Sequence, residues 1–215
     1  MSGRIRNRQW AAKVVEAEEA AGLIGPGENV GMSGFTGAGY PKEVPGALAK
    51  RVAVAHERGE PMKVGLWTGA STAPELDGAL AEVEGIDLRL PYQSDPVSRA
   101  KINEGRLDYT DIHLSHVAQR VWQGIYGDLD VAVVEVSGIT EDGRLIPSSS
   151  VGNNKTWLEQ ADRVIVEATP GRASTSRACT TSTTGPRSRR TASRSRSRTR
   201  PTGSACRTWI ARWRR

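Results

Sequence analysis

After residue 167 the 215-residue chain has no acidic residue and no lysine, and before residue 179 it has no cysteine. The second absence excludes a disulfide framework or a cysteine metal site in the first three-quarters of the chain. Long apolar runs are missing as well. Nothing approaches the roughly 18 consecutive apolar residues that a membrane span needs, and Met1 to Arg8 leads into an acidic helical pattern with no hydrophobic signal core. A cytoplasmic, non-membrane protein is the expectation. The missing acids split the chain in two: residues 1–167 hold all 24 Asp and Glu, and residues 168–215 hold 13 of the 30 Lys and Arg, every one an arginine. The net charge of +6 therefore belongs to an Arg/Ser/Thr-rich tail, not to a basic fold.

What remains in residues 1–167 is enough for one ordinary domain. Trp10, Val14, Ala17, Ala21 and Ile24 recur at helical spacing, which predicts a helix over 9–24 closed by Gly25-Pro26-Gly27. A short strand, ENVGMSGF, then runs into a glycine-rich turn, GFTGAGYPK. Val44, Leu48, Val52 and Ala55 predict a helix over 43–58, with Pro45 tolerated in its first turn. Strands are expected at 62–69, 86–93, 129–139 and 162–167. The helices between them begin near Ala73 (entered through Ser71 or Thr72), Asp95, Ser115 and Asn154. Strands alternating with helices predict an α/β domain with a parallel-rich sheet flanked by helices.

In such a sheet, ligands bind beyond the C-terminal ends of the strands. Four loops fit that place: GFTGAGYPK, WTGAST, PYQSDP and PSSSVGNNK. They offer backbone N–H groups and neutral donors, which suit an anion or a polarised carbonyl, but no nucleophile. Gly34, Gly37 and Gly39 match neither the dinucleotide nor the phosphate-loop pattern, so a tight structural turn and a ligand loop both stay open. His113 and His116 are three apart without a third ligand in spacing, which favours a structural role over metal. Glu135 sits in the middle of a buried run, and its side chain can face either side of the sheet.

Four stretches together resemble one family. They are SGFTGAGYPKEVPGALA, LWTGASTAPELDGALA, PYQSDPVSRAKINEGRLDYTDIHLSHVAQ and GDLDVAVVEVSGITEDGRLIPSSSVGNNKTWLEQADRVIVE. In order, from about Gln9 to Glu167, they are similar to the N-terminal domain of the acetyl-CoA hydrolase/transferase family, of the succinyl-CoA:acetate CoA-transferase type. The resemblance implies a two-domain enzyme with its active site in the cleft between similar α/β halves. It implies coenzyme A as a substrate rather than a resident cofactor, small carboxylic acids as partners, and a homo-oligomer when complete. It also implies that a glutamate of the second domain carries the acyl group and then CoA, so that no catalytic residue lies in this chain. By the same resemblance, Ser71 and Ser94 are hydroxyls that face the reacting region. Gly34, Phe35, Thr36, Gly37, Gly39 and Tyr40 shape an acyl or carboxylate pocket, and Asn153 and Asn154 are further substrate-binding candidates.

Two readings compete for residues 168–215. One is an unstructured arm that binds nucleic acid through counterion release, making the chain a non-enzymatic α/β scaffold with an Arg/Ser tail. Its composition forms no core. The other is a GC-rich reading frame translated one base out of register. When the third base of each codon is left free and regrouped with the next two bases, RACTTSTTG (177–185) can encode Gly-Met-His-Asp-Ile-Tyr-Tyr-Gly. ASRSRSR (192–198) can encode Val-Pro-Ile-Pro-Leu-Thr. TGSACRTWI (202–210), with the last base of the preceding codon, can encode Asp-Arg-Ile-Gly-Val-Pro-Tyr-Leu-Asp. All three strings resemble the family's sequence downstream of VIVE, in the right order. The expectation is a frameshift between about Glu167 and Arg172.

Overall fold

A computed structural model of the protein describes residues 4–32, 34–70 and 73–169, and the backbone of 207–211. In chain order the first elements are α1 (Arg8–Ala11), β1 (Val14–Val15), α2 (Ala17–Gly22), β2 (Asn29–Met32) and α3 (Glu43–Glu57). Next come β3 (Val64–Thr68), a π-helical turn (Pro74–Gly78) that continues as α4 (Ala79–Glu82), and β4 (Ile86–Leu90). They are followed by α5 (Pro96–Asn103), β5 (Asp108–Tyr109), α6 (Leu114–Trp122), β6 (Val131–Ile139) and β7 (Leu145–Pro147). The last are α7 (Asn154–Gln160), β8 (Arg163–Ala168) and β9 (Arg207–Ala211).

The strands form one sheet in the order β1-β9-β8-β6-β2-β3-β4-β5, with β7 antiparallel on β6. Every pairing along the central path from β8 to β5 is parallel. From β2 the chain steps outward one way through β3, β4 and β5, then returns to lay β6 and β8 on the other side. The strand order reverses between β2 and β6, so the crevice that such sheets use for ligands opens there.

Helices cover both faces. Val30, Met32, Val64, Leu66, Val131, Val133 and Ile165 point to one side, where they pack with Val44, Leu48 and Val52 of α3. Trp67, Ala132, Val134, Val164 and Val166 point to the other, with Val117 and Val121 of α6 and Trp157 of α7. Burial on both faces explains why 131–134 reads as an unbroken apolar run rather than an alternation. Gly31 on β2 is required by this layering. A methyl group there would stand 2.9 Å from the Trp157 ring.

Two expectations are corrected. The helix over 9–24 is not continuous: α1 ends at Ala11, Val14 and Val15 form β1, and α2 starts at Ala17. Val14 and Val15 pair antiparallel with Trp209 and Thr208 of β9, so the sheet's hydrogen bonds outweigh the local helical periodicity. The β9 strand itself was not expected, since the composition after 167 offers no core to build one on. The structure extends β8 to Ala168 and pairs 207–211 with it in antiparallel register. The remainder of the tail lies outside the described residues.

Candidate functional site at the strand-order reversal

The segment leaving β2 is the glycine turn, and it enters α3 at Glu43. Gly34, Gly39 and Tyr40 are buried, whereas Phe35, Thr36 and Gly37 are exposed. The turn closes on itself through the Phe35 N–H, which donates to the Ala38 carbonyl at 2.9 Å. Gly39 has φ +65°, and a Cβ there would collide with Ser150. Ser150 Oγ also donates to the Ala38 carbonyl at 2.8 Å. Gly69, after β3, leaves no room for a side chain against the Gly34 carbonyl, and its Cβ position is 3.7 Å from the Gly152 Cα. Three of the four anticipated loops therefore meet at one place, beside the reversal of strand order.

Ser71 falls outside the described residues. Ser94 is exposed on the loop after β4, between inward-turned Gln93 and Asp95. Asp95 Oδ1 accepts from the Ser98 N–H at 2.9 Å and caps α5. Asn153 and Asn154 open α7, one step from Gly152. Asn153 Nδ2 and Asn154 Oδ1 are buried and have no hydrogen-bond partner among the described residues. Buried polar atoms are normally satisfied, so these two amide atoms are exceptions, as are Trp67 Nε1 and Trp157 Nε1. Tyr40 tucks its ring inward, and its hydroxyl reaches Glu75 Oε2 at 3.4 Å.

Sequence reasoning left one buried acid undecided and passed over another. Glu135 of β6 and Glu167 of β8 are paired across the parallel ladder, both on the α3 side. Glu167 accepts the backbone N–H groups of Lys42 at 2.7 Å and of Glu43 and Val44 at 3.1 Å. It is the N-terminal cap of α3, supplied from 125 residues away, because Lys42 has no capping side chain. Glu135 accepts from Lys42 Nζ at 2.6 Å, from Ser148 Oγ at 2.6 Å and from Thr169 Oγ1 at 2.5 Å. The Lys42 ammonium also donates to the Tyr40 carbonyl at 2.7 Å and lies 4.2 Å from the Tyr40 ring centre. An acid set in each β-branched run, VVEV and VIVE, was the available signal, since a buried carboxylate demands donors.

Each fully or nearly buried carboxylate among the described residues is thus held by the fold. Glu135, Glu167 and Asp95 have the partners above, and Asp77 is paired with Arg89 at 3.0 Å. Among the described residues, no three His, Cys, Asp or Glu side chains are grouped to hold a metal ion. His113 and His116 lie on the surface side of α6, and His113 caps that helix by accepting from the Ser115 N–H. No described helix is long and apolar enough to cross a membrane.

The family profile of the acetyl-CoA hydrolase/transferase N-terminal domain matches residues 1–172. The chain belongs to that family. It is 47% identical over 164 residues to a succinyl-CoA:acetate CoA-transferase of Clostridium kluyveri, covering 76% of this chain and 30% of that protein. It is 43% identical over 159 residues to a propanoyl-CoA:succinate CoA transferase of Escherichia coli, covering 74% of this chain and 32% of the relative. An acetyl-CoA hydrolase of Yarrowia lipolytica is 39% identical over 173 residues, 76% of this chain and 33% of its own length. The chain therefore spans about a third of the relatives it matches. Among solved structures, RipA from Yersinia pestis shares the fold with a TM-score of 0.56 at 22% identity, over 73% of this chain and 36% of RipA. A decarboxylase AibA/AibB variant does so with 0.52 at 15% identity, over 71% of this chain and 72% of its own.

Proposed function

We propose that residues 1–167 belong to the N-terminal domain of an enzyme that moves CoA between small carboxylic acids or hydrolyses acetyl-CoA, and that the reactive carboxylate belongs to a second domain outside this chain. The observation that carries this reading is the meeting of three donor-rich loops at the strand-order reversal, in a domain whose buried carboxylates are all engaged by the fold. This domain supplies a surface that positions and polarises, with no nucleophile of its own.

In the complete enzyme a glutamate carboxylate attacks the acyl-CoA thioester carbonyl, expels CoA thiolate and becomes a mixed anhydride. The thiolate attacks the glutamyl carbonyl, releases the acyl group as carboxylate and leaves a glutamyl-CoA thioester. An acceptor carboxylate or water takes over from there. Each step builds negative charge on a carbonyl oxygen, which backbone and amide donors stabilise. Ser71, Ser94, Asn153 and Asn154, with the glycine turn from Gly34 to Tyr40, are the groups this domain contributes. CoA is substrate, not a bound cofactor. The complete protein is a cytoplasmic homo-oligomer.

The surface supports the same reading. Phe35 and Tyr92, 48% and 53% exposed, follow the C-terminal ends of the parallel strands β2 and β4, and Val151, 47% exposed, precedes Gly152 where its loop meets Gly34. Apolar side chains gathered on one rim mark a face that a partner covers. In this proposal the second domain covers it, and the chain by itself associates non-specifically. The tail from 168 onward is the product of a frame change between about Glu167 and Arg172, so its arginines carry no nucleic-acid function. Resequencing that stretch, and expressing the gene with the frame restored, tests the reading. Acyl-CoA turnover by the restored product supports it. An unbroken frame to Arg215 in several isolates, with salt-dependent nucleic-acid binding lost on deleting 168–215, contradicts it.

A further inference from the structure

The Glu135 carboxylate touches three segments that are far apart in sequence and meet only at the strand-order reversal. Lys42 closes the glycine turn, Ser148 opens the loop after β7, and Thr169 follows β8. Glu135 is 3% exposed, so water does not compete for its oxygens. Turn and loop also touch directly, where the Ser150 hydroxyl donates to the Ala38 carbonyl at 2.8 Å. A buried carboxylate next to a second one, Glu167 at the paired position, is costly unless each has its own compensation. Here the compensation is divided: Glu167 takes the helix N-terminus, and Glu135 takes the ammonium and two hydroxyls.

We propose that Glu135 is a positioning residue that couples the glycine turn to the Ser148–Gly152 loop, so that the two move as one unit. Through Lys42 it fixes the carbonyl and ring of Tyr40. Through Ser148 it fixes the strand exit that delivers Ser150 and Gly152 against Ala38 and Gly34. The inference rests on the proposed function only in naming the turn as a ligand-facing element. The coupling itself is a property of this chain, and its test involves no ligand.

Hydrogen exchange of the full 215-residue chain, followed by mass spectrometry, reads it directly. In Glu135→Gln the amides of 34–41 and of 148–152 exchange about tenfold faster or more, whereas those of β3, β4 and α6 keep their rates. Ser148→Ala leaves the Lys42 ion pair intact, yet it also speeds exchange in 34–41, because the loop that braces the turn is released. Lys155→Met, which breaks an exposed pair to Glu159 at 3.8 Å, changes neither segment. Uniform acceleration across the sheet in Glu135→Gln shows a purely structural acid and overturns the proposal. Acceleration in Ser148→Ala that stays within 148–152 overturns the coupling, even where Glu135→Gln fails to fold. If the exchange result holds while the restored-frame protein shows no acyl-CoA turnover, the coupling stands and the functional reading fails.

Discussion

Arg89 of β4 and Asp77 of the π-helical turn form an ion pair at 3.0 Å with both side chains fully buried. The guanidinium continues to Thr68 Oγ1 at 2.8 Å and to the Ala70 carbonyl at 3.2 Å. One buried arginine therefore ties β4 to the loop after β3, where Gly69 meets the glycine turn. Arg89→Met leaves the Asp77 carboxylate buried without its cation. The expected loss is about 3–5 kcal/mol in unfolding free energy, measured by urea denaturation. A change within error would show that the pair is dispensable.

Glu167 caps α3 with one carboxylate on three backbone N–H groups. Glu167→Ala removes the cap and the negative charge at the helix N-terminus. A loss of about 1–2 kcal/mol follows. It is accompanied by faster amide exchange in the first turn of α3. Protection unchanged at Glu43 and Val44 would contradict the assignment.

At Gly39 both the backbone, with φ +65°, and the neighbouring loop exclude a side chain. Gly39→Ala destabilises by about 1–3 kcal/mol. Ser150→Gly in the same chain restores only part of the loss, because the Ser150 backbone N lies 2.7 Å from the Cβ position. Thermal unfolding of the single and double variants checks this.

How much of this was legible in the sequence differs from element to element. The helix over 43–58 was readable because its apolar stripe has the helical period and its core contacts lie on one face. The strand at 131–139 was readable as a strand, but the direction of Glu135 was not. A strand buried on both faces shows no alternation, so nothing local marks which side an acid takes. The split of 9–24 into α1, β1 and α2 depends on pairing with β9, from the far end of the chain, and no local pattern carries that information. The glycine turn was identified as a loop at a strand end, while its partner Ser150 and the arrival of Glu167 under α3 required the register of β6 against β8. Ser94 was picked by resemblance, and the structure shows it exposed beside the Asp95 cap of α5.

Tyr109 of β5 donates to the Pro91 carbonyl at 3.4 Å. Burial, and next the Asp111 carboxylate, hold its phenol above the ordinary tyrosine value of 10.0. A folded-state pKa raised above the unfolded one contributes stability that is complete below the unfolded value and lost as pH climbs through the folded one. Stability is thus expected to fall once pH exceeds about 10, and Tyr109→Phe flattens that part of the profile. An unchanged alkaline slope in the variant would assign the fall to other groups.

The most direct measurement is the intact mass of the 215-residue chain after incubation with acetyl-CoA and an acceptor carboxylate. The account predicts no covalent CoA adduct and no turnover, with an adduct appearing only in the restored-frame protein, on a glutamate beyond residue 169. A CoA thioester mapped to any Asp or Glu between residues 4 and 169 would contradict it.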